Sequence, residues 1–194
     1  MTNMLKRCGW CLKENIYIKY HDDEWGVPVY DDKKLFEFLI LEGAQAGLSW
    51  LTILKRRDCY RKAFKNFDVK KVARMTKKDI KLLKTDTGII RNELKIRAAI
   101  TNAKNFIKIQ EEFGSFSDYS WHFVDGKPIH NKWKELGQIP ATSKESDAFS
   151  KDLKQRGFKF VGSTIIYAHM QAVGMVNDHL ISCFRYKELK NAKY

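Results

Sequence analysis

Apolar side chains recur at intervals of three, four and seven residues along much of this chain, and that spacing confines it largely to helices. Leu35, Leu39, Glu42 and Ala46 fall on one stripe, Ile96, Ile100, Ala103 and Ile107 on a second, and Val161, Ile165, Ala168 and Ala172 on a third. Three or four steps carry a side chain round one helical turn, so each stripe predicts a face turned towards a core. Asp31 or Asp32 can cap the first helix, and Thr76-Lys77-Lys78-Asp79 has the form of a helix start ahead of Gly88. Alternation suited to a strand is thin, confined to Tyr17-Ile18-Lys19-Tyr20 and to Trp121-His122-Phe123-Val124 before the turn Asp125-Gly126. Residues 113–142, with Gly114, Gly126, Pro128, Gly137 and Pro140, read as an irregular connection between two helical groups. A 44% share of hydrophobic residues and only 3 prolines in 194 supply a core and leave little for disorder. The expectation is a mostly α protein. It is either one unit over residues 1–194 or two intimately packed subdomains, the terminal segments and a central bundle of roughly 51–175.

The chain carries a formal charge of +13, and its distribution points to a partner. Residues 1–50 hold 6 basic and 8 acidic side chains, 51–110 hold 18 and 5, and 111–194 hold 12 and 10. The excess therefore lies in the middle third. Such a segment would bind a polyanion through phosphate contacts and counterion release, which makes nucleic acid the first partner to consider; a solvated basic helical surface is the other reading. No apolar run approaches the ~18 to 20 residues of a membrane span, and the first fifteen residues lack the apolar stretch of a signal peptide, so an intracellular, cytoplasmic protein without membrane contact is expected.

In a reducing compartment the four cysteines, Cys8, Cys11, Cys59 and Cys183, are poor candidates for disulfides. Cys8 and His21 lie near one end, His179 and Cys183 near the other. The second pair is four residues apart, so on a helix both side chains would project from one face. Two thiolates and two imidazoles make a closed tetrahedral Zn²⁺ site of the structural kind, which would clasp the ends together. It requires deprotonated thiolates and neutral imidazoles and should weaken as pH falls. Two competing readings remain: Cys8-Gly9-Trp10-Cys11 as a redox pair, though the βαβ context of such a motif is absent, and Cys11 as a substitute ligand. Cys59, between Arg57 and Arg61, reads as packing.

Glu42 shares the apolar face of Leu35 and Leu39. A buried carboxylate is costly unless paired or hydrogen-bonded, so this residue is a functional-site candidate; a Glu turned to solvent or capping a neighbouring helix is the plainer alternative. Close in sequence lie Trp10, Tyr17, Tyr20, Trp25 and Trp50, and the basic segment begins immediately after Trp50. A planar base could stack on these rings and be read on its edge by the carboxylate while phosphates meet Lys and Arg.

These residues belong to longer strings that resemble the DNA-3-methyladenine glycosylase I family. They are Cys8-Gly9-Trp10, Tyr20-His21-Asp22-Asp23-Glu24-Trp25-Gly26-Val27-Pro28, Leu41-Glu42-Gly43-Ala44-Gln45-Ala46-Gly47-Leu48-Ser49-Trp50, Gly88-Ile89-Ile90-Arg91, Arg156-Gly157-Phe158-Lys159-Phe160-Val161-Gly162 and Val176-Asn177-Asp178-His179, in order over nearly the whole chain. The resemblance implies a helix-hairpin-helix DNA glycosylase fold with one zinc ion on Cys8, His21, His179 and Cys183, and it sets Cys11 aside. It implies excision of 3-methyladenine, with 3-methylguanine a further candidate, from double-stranded alkylated DNA by a monomer. Glu42 would accept hydrogen bonds from the base, Tyr20 and Trp50 would shape and stack the pocket, and Trp10, Tyr17 and Trp25 would wall it.

The hairpin is placed at 157–162 between helices at 147–156 and 163–173. Gly157 and Gly162 would permit the turn, Lys159 lies within it, and Ser163 and Thr164 could add hydroxyl donors to a phosphate. Where related enzymes carry a catalytic Asp two residues before the His, this chain has Asn177, with Asp178 beside it. An amide cannot act as an ionised carboxylate, which suits a cationic base that is already a good leaving group. Leu48 is the candidate wedge that fills the gap left by the extruded base, with Gly47 allowing close approach; an ordinary core leucine is the alternative. No lysine stands out as a Schiff-base nucleophile, so a monofunctional enzyme is expected. The rival is a non-catalytic, zinc-stapled nucleic-acid-binding module.

Overall fold

The computed structural model describes residues 5–192 and contains eleven α-helices among them. They are α1 (Asn15–Asp23), α2 (Asp32–Gln45), α3 (Trp50–Leu54), α4 (Arg57–Ala63), α5 (Val69–Ala73), α6 (Lys77–Leu83), α7 (Glu93–Phe113), α8 (Phe116–Trp121), α9 (Lys144–Gln155), α10 (Ser163–Ala172) and α11 (Phe184–Asn191). Two short strands, β1 (Ile129–His130) and β2 (Val176–Asn177), pair in parallel, with Ile129 opposite Val176. Buried apolar side chains from Cys8 to Cys183 form one continuous cluster. No helix of the described residues is long and apolar enough to cross a membrane.

Local chemistry accounts for the helix starts. Asp31 caps α2, its carboxylate accepting from the Lys34 N–H at 2.8 Å, and Thr76 with Asp79 forms a reciprocal capping box on α6. Asp32 acts elsewhere. Its carboxylate accepts from Gln110 Nε2 at 2.7 Å and from the free N–H groups of Phe116 and Ser117 at 2.9 and 2.8 Å, so the start of α2 also caps α8 and ties down the far end of α7.

Both segments with weak strand character are helical. Tyr17–Tyr20 lies in α1, and Trp121 ends α8 and leads into a 3-10 turn at His122–Val124. In α1, Tyr17 packs against Trp10 and Tyr20 against Trp50 of α3, and this tertiary packing overrides the local alternation. The irregular connection at 113–142 proves more structured than expected, because Ser115 caps α8 and β1 docks on β2.

Helix α2 sits at the centre, with every residue from Leu35 to Ala44 buried. One of its carboxylates, Glu37, is held by cations: Arg57 Nε donates to it at 2.7 Å and Arg61 Nε at 3.0 Å, while Arg57 Nη1 reaches Glu24 at 2.8 Å. Burial pushes the Glu37 carboxyl up, but Arg57, Lys34 and Arg61 outweigh it and hold the group below its ordinary range. This network fixes α2 against α4 and the end of α1. Truncation of Glu37 to Ala leaves Arg57, which is only 5% exposed, with half its partners. Removal of one partner from a buried pair costs about 3 to 5 kcal/mol, and urea denaturation of Glu37→Ala should read a loss of that order.

Candidate base pocket, metal centre and nucleic-acid face

Cys8, His21, His179 and Cys183 meet in one buried cluster, with ligand atoms all within 4.8 Å of one another. Cys183 Sγ lies 3.5 Å from both His21 Nε2 and His179 Nδ1, and Cys8 Sγ lies 3.7 Å from His179 Nδ1. Bond lengths of about 2.0 and 2.3 Å to zinc imply ligand separations of about 3.3 to 3.8 Å round a tetrahedron, so the cluster has room for one such ion. Each imidazole turns its other nitrogen to an anchor: His21 Nδ1 meets Asp22 Oδ1 at 2.7 Å, and His179 Nε2 meets the Trp25 carbonyl at 2.9 Å. Arg7 holds Asp22 in turn. Contacts of this kind are the ones that orient histidines where a metal is bound. The interaction between the two sulfurs pushes the Cys8 thiol up and pulls the Cys183 thiol down.

The expected helix between His179 and Cys183 is not there. The segment is a turn, and Cys183 stands at the N-cap of α11. A turn of this length brings the two side chains to one point as a helical face would. Cys11 lies outside the cluster, its thiol donating to the Cys8 carbonyl at 3.1 Å, and Cys59 is an exposed free thiol beside Gly88 rather than core.

Beside the cluster opens a cavity of about 220 Å³ lined by Trp10, Tyr17, Tyr20, Trp25, Glu42, Gln45, Trp50, Ile139, Ala168 and Gln171. All five expected aromatic residues line it. Trp10 packs on Tyr17 and Trp25 with ring centroids 4.8 and 5.0 Å apart, and Tyr20 packs on Trp50 at 5.3 Å. Glu42 is 4% exposed and has no hydrogen-bond or ion-pair partner among the described residues. Burial pushes its pKa up to about 8. A carboxyl of this kind is primed to take a donor or a cation, either of which restores its charge.

A second hollow of about 310 Å³ shares Glu42, Gln45 and Ala168 with the first and opens between Gly47 and Leu48 on one side and Thr164 and Ile165 on the other. Leu48 is 41% exposed at the tip of a loop, so it is not a core leucine. Gly47 has φ +77°, and a Cβ added there would meet nothing within 4 Å, so conformation alone calls for glycine.

The turn between α9 and α10 falls where the sequence places it, within a few residues at each helix end. Gly157, at φ +86°, needs its glycine. Gly162 has φ −62° and open space around it, so it caps α10 without any demand for a missing side chain. Lys159 and Thr164 are exposed. Ser163, expected to point a hydroxyl outwards, instead donates to Asp147 and contacts Ser146 Oγ at 3.1 Å. The hydroxyl is drawn into the cap of α9.

Sequence reading missed the residue that holds this turn. Asn102, buried in α7, donates to the Lys159 carbonyl at 2.9 Å and accepts from the Lys159 N–H at 2.8 Å. An amide standing between Ile100 and Ala103 on the apolar face was the available signal. The clamp also places α7, the end of the basic segment, against the turn. Other charges of that segment serve ion pairs, such as Lys55 with Glu14 and Lys84 and Arg97 with Glu93. Asn177 and Asp178 are engaged internally. Asn177 Oδ1 accepts from the His179 N–H at 3.3 Å, and Asp178 accepts from Asn131, Trp133, Tyr167 and Gln171 at 2.7 to 2.8 Å.

A helical fold with an acid-floored aromatic cavity opening onto a loop and a helix-turn-helix face has the layout of an enzyme that reads an extruded base. The methyladenine glycosylase family model matches residues 10–186. DNA-3-methyladenine glycosylase 1 of Escherichia coli (strain K12) is 50% identical over 182 residues, covering 94% of this chain and 97% of that one. The Haemophilus influenzae DNA-3-methyladenine glycosylase is 48% identical over 93% of this chain and 97% of its own. Among solved structures, a crystal structure of 3-methyladenine DNA glycosylase I at 50% identity superposes with a TM-score of 0.90, covering 92% of this chain and 98% of that one. The Staphylococcus aureus enzyme, whose structure concerns 3-methyladenine recognition, does so at 0.91 with 38% identity, covering 98% and 99%. The chain belongs to the methyladenine glycosylase family.

The raised pKa of Glu42 has a consequence for stability. A carboxyl that titrates near 8 when folded and near 4.5 when unfolded stabilises the fold fully below the lower value and loses that contribution as pH rises through the higher. Glu42→Gln does not titrate. Its unfolding free energy minus that of the wild type should therefore grow from pH 4 to pH 8, by about 1.4 kcal/mol per pH unit between the midpoints. Denaturant titrations at both ends of the range would read this, and a pH-independent difference would contradict a neutral Glu42.

Proposed function

We propose that this protein is a DNA-3-methyladenine glycosylase of base excision repair, which hydrolyses the N-glycosidic bond of 3-methyladenine in alkylated double-stranded DNA, with 3-methylguanine a further substrate. It acts as a monomer and a single glycosylase unit. The observation that carries the reading is the unpartnered Glu42 carboxyl at the floor of the aromatic cavity.

The helix-hairpin-helix formed by α9, the 157–162 turn and α10 binds the phosphate backbone through main-chain N–H groups, with Lys159 and Thr164 beside them. Leu48 enters the duplex as a wedge while the damaged nucleotide swings into the cavity, which offsets part of the few kcal/mol of unstacking. Methylation at N3 gives the base a positive charge, so it gains attraction from the faces of Trp10, Tyr17, Tyr20, Trp25 and Trp50 and from Glu42. The same charge lowers the carboxyl's proton affinity, and Glu42 binds as an ionised acceptor at the base's edge.

When the bond between base and sugar breaks, its electron pair goes to the base and neutralises it. Water adds to the oxocarbenium-like sugar carbon and releases a proton to solvent. A leaving group that departs as a neutral molecule needs no strong base to activate the water. That agrees with the engagement of Asn177 and Asp178 in internal hydrogen bonds. Neither cavity is lined by a lysine, which supports a monofunctional enzyme without strand cleavage.

The Cys8, His21, His179 and Cys183 cluster suits one structural zinc ion, which supplies cross-linking and no catalytic step. With all four ligands from protein, no position is left for substrate. One zinc per chain is expected by elemental analysis. Chelation or Cys183→Ser should lower the melting temperature, and equal melting with and without chelator would contradict the zinc.

Release of free base from methylated DNA tests the activity itself, since a non-catalytic DNA-binding module would release none. Glu42→Ala should lower excision by about 10²-fold or more while leaving affinity for undamaged duplex nearly intact. Unchanged excision would remove Glu42 from the site.

A further inference from the structure

Lys95 is the third residue of α7, its own N–H bonded to the Asn92 cap at 3.1 Å. Its ammonium leaves that helix and crosses to the end of α2, donating to the Ala44 carbonyl at 2.8 Å and the Ala46 carbonyl at 2.6 Å. It has no carboxylate partner among the described residues, and Glu93, two residues before it, pairs with Lys84 and Arg97. The stem lies in a small apolar niche with Ile90, Ala44 and Phe160, between α2 and the hairpin. Burial lowers the ammonium's pKa, an expense that a solvated lysine would avoid.

What this contact holds is the loop that carries Leu48. The final carbonyls of a helix lack partners within it, and a cation there is favoured by the helix dipole as well as by hydrogen bonding. After Gln45 the chain leaves the helical conformation at Ala46, turns left-handed at Gly47 and projects Leu48, with the Leu48 N–H returning to the Gln45 carbonyl. Nothing lies within 4 Å of a Cβ placed on Gly47, so the tip is not buttressed by packing on that side. A flexible tip would share its wedge among many directions and lose insertion.

We propose that Lys95 is a positioning residue for base extrusion: its two hydrogen bonds to Ala44 and Ala46 lock the 46–48 loop so that Leu48 is presented to the duplex in one orientation. The inference rests on Leu48 acting as the wedge. It gives a lysine of the basic segment a role distinct from phosphate binding.

The test places 2-aminopurine opposite an abasic-site analogue in a duplex, where its fluorescence reports unstacking by an inserted side chain. Wild-type protein should change the signal. Lys95→Met, which keeps the stem, should lose most of that change and lower excision from methylated duplex by about tenfold or more. Its binding of free 3-methyladenine and of undamaged duplex should stay at wild-type levels, and Lys95→Arg should restore the signal. If Lys95→Met keeps the signal while Leu48→Ala loses it, the wedge stands and the role of Lys95 falls. If Leu48→Ala keeps the signal, or the wild type gives none, the wedge reading fails and takes this one with it. Weaker binding of undamaged duplex by Lys95→Met, with a salt slope reduced by about one, would make Lys95 a phosphate ligand instead. A melting temperature lowered alike in both Lys95 variants, with no recovery by Arg, would reduce it to a general structural contact.

Discussion

Cys8 and His21 from one end of the chain and His179 and Cys183 from the other converge within 4.8 Å, and the walls of the base cavity are built on that junction. Trp25 stacks edge-on against His179 with centroids 4.6 Å apart and lends it a carbonyl, while Trp10 lies 5.3 Å from His21. Two of the five aromatic walls are thus fixed by the residues that would hold zinc. A cross-link spanning so much of the sequence would restrict the unfolded chain by about 5 kcal/mol on the chain-entropy arithmetic used for disulfides. Bound zinc would also favour ionisation of both thiols, since a dication offsets the charge of two thiolates. A metal there would influence the cavity mechanically, through the positions of these rings.

Helix α2 treats its two buried carboxylates in opposite ways. Glu37 is ringed by Arg57, Arg61 and Lys34 and remains charged. Glu42, five residues further on, has no cation beside it among the described residues and is pushed towards its neutral form by burial. The first is structural and holds the helix in place; the second is left without a partner, which under the proposed function the substrate would supply. A cationic base supplies both the charge and the hydrogen-bond donors that the protein withholds, whereas ordinary adenine supplies donors alone. Under the proposed function, selectivity for the alkylated base would follow from that difference, with aromatic faces adding to it.

Helical periodicity made the fold class legible, and the Cys, His, Glu and aromatic residues of the cavity and cluster could all be named from their places in the chain. Their chemistry is unusual for buried positions, and that is what makes them visible in a sequence. Contacts that depend on three-dimensional proximity were not legible. Asn102 and Lys159 are 57 positions apart and join through backbone atoms, which carry no sequence signal. Ser163 turned inwards because Asp147 happens to lie beside it, and Gly162 proved dispensable as a glycine because its φ is ordinary. The concentration of charge in 51–110 was correctly located, but net charge could not separate cations engaged with Glu14, Glu37 and Glu93 from those free to meet phosphate.

Whether Glu42 and its aromatic surround hold the damaged base is decided by a crystal structure of this protein with 3-methyladenine. The ring should lie inside the 220 Å³ cavity, with a donor at its edge within about 2.6 to 3.2 Å of the Glu42 carboxylate. A base seated elsewhere on the protein, or a Glu42 carboxyl turned away from it, would remove Glu42 and these rings from base recognition.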